Sequence, residues 1–267
     1  MTTFPNNTQS SFTVRLDHPI HIEKENWEVA LVEMITPTQV MNISDANNYF
    51  YLRFFSRLVA EQFGIETMTE NCTEDNSCAD FRLKIPKGSY SSPQHLVEEI
   101  QRIINIRFGE QLRLANASIE MTYGNNSKRV KIFYNNPTIA KLIFPKLLAE
   151  KLGLNPKFIE KPIGNERHAF KYEVDLNTAN NQLYVYSDIA SYTYVGDITA
   201  PILRVVPFEV SRRSNHSHLE FVNLHYVPVA KSFIDQVHIS IKGDTGLDVP
   251  FITGKSLIKL HFRLKDN

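Results

Sequence analysis

The sequence predicts a mainly β protein: a single jelly roll of eight antiparallel strands in two sheets, carrying an inserted α+β subdomain. Three observations predict this fold class. Apolar and polar residues alternate in the first and last thirds of the chain, as in half-buried strands. Five Asn doublets supply turn residues where glycine is scarce, at 10 of 267 residues. The middle of the chain instead contains an apolar stripe at helical spacing.

The composition is that of an ordinary globular protein. Hydrophobic residues make up 42% of the chain and charged residues 22%, which excludes a disordered, collagen-like or coiled-coil protein. Lys and Arg number 29, and Asp and Glu also number 29, so the formal net charge is zero. Proteins that bind a nucleic-acid phosphate backbone usually carry a net positive charge. Direct nucleic-acid binding is therefore not expected.

The apolar stretches are too short for a membrane span, which needs about 18 apolar residues in a row. The most apolar ones, 29–35 and 198–208, are interrupted by Glu33 and Arg204. The first residues, MTTFPNNTQSS, lack the basic and apolar regions of a secretory signal. Cys72 and Cys78 lie in a polar loop, where two free thiols are favoured over a local disulfide. We expect a soluble chain without a membrane span or a secretory signal.

The first third predicts three strands. Residues 12–22 alternate until Pro19 interrupts them, and residues 49–55 form an aromatic-rich strand. Between these lies WEVALVEMIT (27–36), in which apolar residues fall on both faces of the predicted strand. We therefore predict a strand that is covered on both faces, with Trp27 as a core anchor.

The middle of the chain predicts a strand, a helix, a hairpin and a second helix. The strand is 81–85, and Ser92 and Pro93 suit the N-cap and first position of a helix whose stripe runs from Leu96 to Phe108. Residues 119–123 and 129–134 flank a hairpin turn. A short helix over 146–152 ends at Gly153.

The last third returns to strands, and together with the first three they make eight. The five predicted strands are 183–186, 201–208, 219–226, 234–241 and 256–264. We therefore expect jelly-roll segments at 1–58 and 181–267, with the α+β subdomain at 59–180 inserted between the third and fourth strands. The insertion is expected to fold separately, so that deleting it leaves a folded β protein.

The tightest histidine pair is His216-x-His218, followed by Glu220. Cupins, which are jelly-roll-like metalloenzymes, place a Glu four or five residues after such a pair, where this chain has Val222 and Asn223. The second cupin motif requires Pro-x-Gly, whereas Pro250 is followed by Phe251 and Ile252. A polar loop or strand edge is therefore favoured over a metal site. The remaining candidates are His18, His21, His225, His238 and His261. We favour the interpretation that they are core or edge residues with hydrogen-bond partners over the interpretation that they bind a metal.

The other catalytic and ligand-binding patterns are missing from the sequence. It contains no Gly-x-Ser-x-Gly elbow, no Gly-x-Gly-x-x-Gly and no Walker loop. Arg212–Arg213 is favoured as a solvated turn, and Asp188 and Asp197 as acceptors of loop N–H groups rather than cation ligands. We therefore expect no catalytic, cofactor-binding or metal-binding residues, no cofactor and no small-molecule substrate, and the protein is not expected to be an enzyme.

Five stretches, in order, resemble one family. They are WEVALVEMITP (27–37), KGSYSSPQHLVEEI (87–100), YVYSDIASYTYVGDITAPILRVVP (184–207), HYVPV (225–229) and GLDVPFITGKSLIKLHFR (246–263). Their order and spacing resemble the penton, or minor capsid, protein of Polinton/Maverick elements and adintoviruses, and more distantly the pentons of virophages. The resemblance covers most of the chain and weakens over 54–80 and 155–181.

The resemblance implies a structural role in a virion. Pentons of this group are single jelly rolls with an insertion that assemble as pentamers at the five-fold vertices of an icosahedral capsid. Double jelly-roll major capsid proteins surround them. Five copies around an axis would use head-to-tail contacts that close into a ring. The alternative is a jelly-roll binding module, lectin-like or host-receptor-binding, with the insertion as the contact surface.

Overall fold

The protein is described by a computed structural model that covers residues 4–55, 79–164, 166–178, 181–208 and 215–265. It is mainly β, as the sequence predicts. The strands, in chain order, are β1 (Ser11–His21), β2 (Trp27–Pro37), β3 (Tyr49–Phe54), β4 (Ala79–Lys84), β5 (Ile119–Gly124), β6 (Arg129–Tyr134), β7 (Ala140–Ile143), β8 (Arg167–Ala169), β9 (Gln182–Ser187), β10 (Thr193–Val195), β11 (Ile198–Ala200), β12 (Ile202–Pro207), β13 (His216–Glu220), β14 (Val227–Pro228), β15 (Phe233–Lys242) and β16 (Leu257–Leu264). The α-helices are α1 (Pro93–Leu114) and α2 (Lys146–Lys151), and short 3-10 turns lie at Lys24–Asn26 and Pro156–Phe158.

The chain divides into two compact units. One consists of Met1–Met41 with Ala179–Asn267, and the other is Asn42–Thr178, each taken over its described residues. Each unit has its own hydrophobic core. Cys72, Cys78 and the Arg212–Arg213 doublet lie outside the residues that the structure describes.

The first unit has the strand order of a jelly roll. One sheet runs β1-β15-β9-β12, and the other is built on β2. Since β13 and β16 both pair with β2 around Glu33, they lie on opposite sides of it. The β10–β11 hairpin forms a two-stranded sheet of its own. The segment just before it lies beside β14, where the Ser191 N–H donates to the Pro228 carbonyl at 2.8 Å. With β13 and β14 counted as one broken strand, the strands of this unit follow the order of a jelly roll. β16 is an additional strand, paired with β2 on the side away from β13 and β14.

The prediction that β2 is covered on both faces holds for its residues 29–31, whereas Val32, Glu33 and Ile35 are only partly buried. Its consecutive residues Val29, Ala30 and Leu31 are at most 1% exposed, although their side chains point alternately to the two faces. The expectation for Trp27 needs correction, because it is only partly buried at the margin of the core. It lies at the first position of β2, where fewer neighbours surround it.

The predicted third strand of the roll belongs to the other unit. β3 pairs antiparallel with β4 along all six of its residues and with β7 on its other side. The predicted boundary at 58/59 is therefore wrong, and the inserted unit begins at Asn42. The β10–β11 hairpin, whose approach lies beside β14, occurs instead in a segment that the sequence predicts as a loop. The predicted strand 219–226 is also wrong in extent, since β13 ends at Glu220.

The inserted unit packs helix α1 with two three-stranded sheets, β4-β3-β7 and β5-β6-β8. The Ser92 hydroxyl accepts the His95 N–H at 3.3 Å and caps α1, as predicted. The buried helix residues Leu96, Val97, Ile100, Ile104, Phe108 and Leu112 follow the predicted stripe. The predicted β5–β6 hairpin is also present. After α2, Gly153 has a φ of +79°, and a Cβ there would lie 2.3 Å from the Tyr172 carbonyl oxygen. Only glycine fits this position.

We predict that residues 42–178 fold when expressed alone, whereas residues 59–180 do not. The shorter piece lacks β3, whose Phe50, Leu52 and Phe54 are fully buried in the core of the insertion. Truncating one buried Phe or Leu costs about 2–5 kcal/mol, so losing all three costs about as much as the whole stability of an ordinary domain. Circular dichroism melts of both pieces check this. A cooperative transition in the 59–180 piece would contradict the assignment of β3.

The insertion also contains a buried lysine that is expected to make its stability depend on pH. Lys151 is 5% exposed, and its Nζ donates to the carbonyls of Leu176 at 2.8 Å and Thr178 at 2.6 Å. Burial lowers the Lys151 pKa to about 8. The unfolded chain therefore binds the extra proton between about pH 8 and pH 10.5, and this group adds stability as the pH rises through that window.

We predict that Lys151→Met removes this pH dependence. Urea unfolding of both proteins at pH 7.5 and pH 10.5 should show wild type gaining up to about 3 kcal/mol relative to the variant. Lys151→Arg, which stays charged, serves as a second variant and should lose the same gain. An equal pH response in all three proteins would contradict the prediction.

Candidate functional site

One edge of the jelly roll leaves an apolar cavity open to solvent. It lies where the edge strands β1 and β16 approach each other, with β15 behind them, and has a volume of about 230 Å³. The residues that line it are all apolar: Phe12, Val14, Leu16, Ile20, Val237, Ile239, Ile258, Leu260 and Phe262. Val14 is 52% exposed. An apolar surface of this kind on an exposed sheet edge is typical of a protein–protein contact.

The opposite edge presents exposed aromatic side chains. The β10–β11 hairpin turns at Gly196, which has a φ of +63°, and two tyrosines alternate on one face of β10 and its approach. Tyr194 is 89% exposed and Tyr192 is 72% exposed. Ile198, next to the turn, is also exposed. Because tyrosine offers a large contact area at low entropic cost, such a hairpin suits an interface.

The strand β12 forms the other edge of the first sheet on this side. Its Arg204 guanidinium lies 4.0 Å above the Phe221 ring and donates to the Asn223 carbonyl at 2.9 Å. These contacts join β12 to the chain that follows β13. In the order β1-β15-β9-β12, β1 and β12 are the two edges of the first sheet. The apolar cavity lies at the β1 edge, and the tyrosine hairpin directly precedes β12 at the opposite edge.

The histidine pair of the sequence lies on β13, with a partner that the sequence did not indicate. His216, His218 and Glu220 alternate along β13 and share one face. His218 Nε2 lies 3.0 Å from Glu33 Oε1 on β2 and 3.7 Å from Glu220 Oε1. Lys259 Nζ on β16 binds the other oxygen of Glu33, Oε2, at 3.2 Å. The hydrogen bond from Lys259 lowers the pKa of Glu33, which keeps it ionised.

The remaining predicted candidates take structural or exposed positions. His238 Nδ1 lies 3.0 Å from the Thr13 hydroxyl, and His261 Nδ1 lies 2.8 Å from the Tyr226 hydroxyl. The His21 ring packs on Phe233. His18 is exposed on β1, and His225 is exposed in an irregular segment rather than within the predicted strand.

Of the two aspartates weighed as cation ligands, Asp188 is occupied by protein partners. It pairs with Lys231 and accepts the His238 N–H at 2.8 Å. Asp197 lies exposed at the turn of the β10–β11 hairpin. Asp188 thus accepts a backbone N–H, as the sequence interpretation favours.

The insertion carries a second cavity, on the outer face of the β5-β6-β8 sheet. Its volume is about 410 Å³, and it is lined by Glu120, Thr122, Lys131, Ile132, Phe133, Arg167, His168 and Ala169. The Arg167 guanidinium lies 5.3 Å from the centre of the Phe133 ring. His168 Nε2 is, among the described residues, a buried side-chain atom without a hydrogen-bond partner. Burial lowers the pKa of this histidine.

Comparison with solved structures finds chains to which this one is similar at low identity. No family model matches the chain. The crystal structure of the SeMet-labelled mavirus penton protein matches 97% of this chain and 92% of its own, with a TM-score of 0.45 and 10% identity. A chain in the 3.5 Å cryo-EM structure of the Sputnik virophage matches 94% of this chain and 91% of its own, with a TM-score of 0.37 and 12% identity. No helix in the described parts of the chain is long and apolar enough to cross a membrane.

Proposed function

We propose that the chain is a penton: a minor capsid protein that forms pentamers at the five-fold vertices of an icosahedral capsid, surrounded by a double jelly-roll major capsid protein. The observation that carries the proposal is the pair of unlike edges on one jelly roll. The apolar cavity between β1 and β16 lies at one edge, and the exposed Tyr192 and Tyr194 lie at the other. The five sequence stretches that resemble Polinton/Maverick and adintovirus pentons support the same role.

Unlike edges on opposite sides of a subunit give head-to-tail contacts. The tyrosine hairpin of one copy meets the apolar edge of the next, and the contacts close into a ring when the rotation per copy divides a full turn. Burying the apolar lining and the tyrosine rings in that contact removes both from water. A neutral subunit also avoids long-range repulsion between identical neighbours. This role places the protein in the virion and requires no catalytic group.

We predict that Tyr194→Ser weakens ring formation without unfolding the subunit. Tyr194 is 89% exposed, so its loss should change subunit stability by less than about 0.5 kcal/mol. As a central aromatic of an interface, it should cost at least about tenfold in association at each contact. Native mass spectrometry across protein concentration measures both the ring size and the loss.

The control is Tyr172→Ser, which removes an exposed tyrosine from the insertion and should leave the assembly unchanged. A pentamer lost in Tyr194→Ser and kept in the control is the expected result. Equal assembly of both variants would remove the hairpin from the interface, and a stable dimer of wild type would contradict the penton role.

A second candidate function, a glycan-binding module, is favoured by the cavity of the insertion. The Phe133 ring offers an apolar platform, and Glu120 and Arg167 beside it could hydrogen-bond hydroxyl groups. A glycan array probed with wild type, Phe133→Ala and the control Leu114→Ala tests this. Specific binding that only Phe133→Ala loses is the expected result, and no binding by wild type would contradict it.

A further inference from the structure

Three metal-ligating side chains converge on the outer face of the second sheet of the roll. Glu33, His218 and Glu220 each offer one donor atom, and these atoms all lie within 4.8 Å of one another. The distances from His218 Nε2 to the two carboxylate oxygens are 3.0 Å and 3.7 Å. Ligand atoms about 2.1 Å from a tetrahedral zinc ion are about 3.4 Å apart. The observed spacing therefore suits one ion with little movement.

The strand register holds this arrangement in place. Glu220 on β13 lies directly opposite Glu33 on β2, and His218 comes two residues before Glu220 on the same face. Like charges directly opposite each other across two strands are unfavourable. A cation bound between the two carboxylates would relieve that repulsion.

The surrounding charges leave room for a cation. Lys259 lies opposite Glu33 on the other side of β2, and it occupies Oε2 while Oε1 faces His218. Two carboxylates and one ammonium group give the site a formal charge of −1 when the imidazole is neutral. The side chains of His218 and Glu220 are 52% and 73% exposed, so an ion can enter from solvent with its water ligands.

We propose that Glu33, His218 and Glu220 form a surface binding site for Zn²⁺, with water completing a tetrahedral shell. The imidazole nitrogen selects a transition metal over Mg²⁺ or Ca²⁺, which prefer oxygen ligands alone. The bound ion would join β13 to β2 at an edge of the second sheet. This site differs from the His216-x-His218 pair of the sequence, because Glu33 comes from another strand 185 residues from His218. It is independent of the penton proposal.

Isothermal titration of the metal-free full chain with ZnCl₂ tests the site. Wild type should bind one ion, and His218→Ala and Glu220→Gln should each weaken binding at least about tenfold. His216→Ala is the matched control, since it removes a histidine from the same face of the same strand and should bind within about twofold of wild type. Circular dichroism of each variant verifies that it is folded.

The outcomes separate the alternatives. A wild-type protein without saturable zinc binding would overturn the proposal. Loss of binding in His216→Ala equal to that in His218→Ala would overturn the assigned ligand set. Equally tight binding of MgCl₂ in a parallel titration would overturn the assignment to zinc.

Discussion

The fold depends on strand β2. It is buried on both faces over residues 29–31 and paired on both edges, with β16 along one side and β13 and β14 along the other. Its buried part must be apolar on both faces, and Val29, Ala30 and Leu31 meet that requirement. The strand also carries two charges, Glu28 and Glu33. Glu28 pairs with Arg263, and Glu33 is accommodated because Lys259 lies opposite on β16 and His218 approaches from β13. The same strand thus organises a sheet of the roll and the convergence of polar groups on its outer face.

Local structure could be predicted from the sequence, whereas sheet membership could not. The N-cap at Ser92, the apolar stripe of α1 and the β5–β6 hairpin all depend on residues close in sequence, and all three are present. The alternation of β3 correctly predicts a strand but carries no information about its partners. Its partners proved to be β4 and β7 of the insertion. The β10–β11 hairpin was missed because its strands are only three residues long.

The candidate surfaces could be identified only from the structure, because they too depend on which distant segments pair. Alternation in β1 and β16 predicts apolar inner faces, but only the sheet order shows that both are edge strands beside an open cavity. His218 and Glu220 could be picked out by their spacing, whereas Glu33 could be noticed only as a charge inside an apolar strand. A role in assembly depends on which edges are left open, and a ligand cluster depends on cross-strand register. Both are properties of pairing between distant segments.

The most direct test of the penton role is cryo-EM of particles assembled by co-expressing this chain with the major capsid protein of the same genome. The account predicts pentameric density at the five-fold vertices into which five copies of the jelly roll fit, with the tyrosine hairpin of each against the β1–β16 edge of its neighbour. Particles whose vertices lack this chain, or complete particles that never incorporate it, would contradict the account.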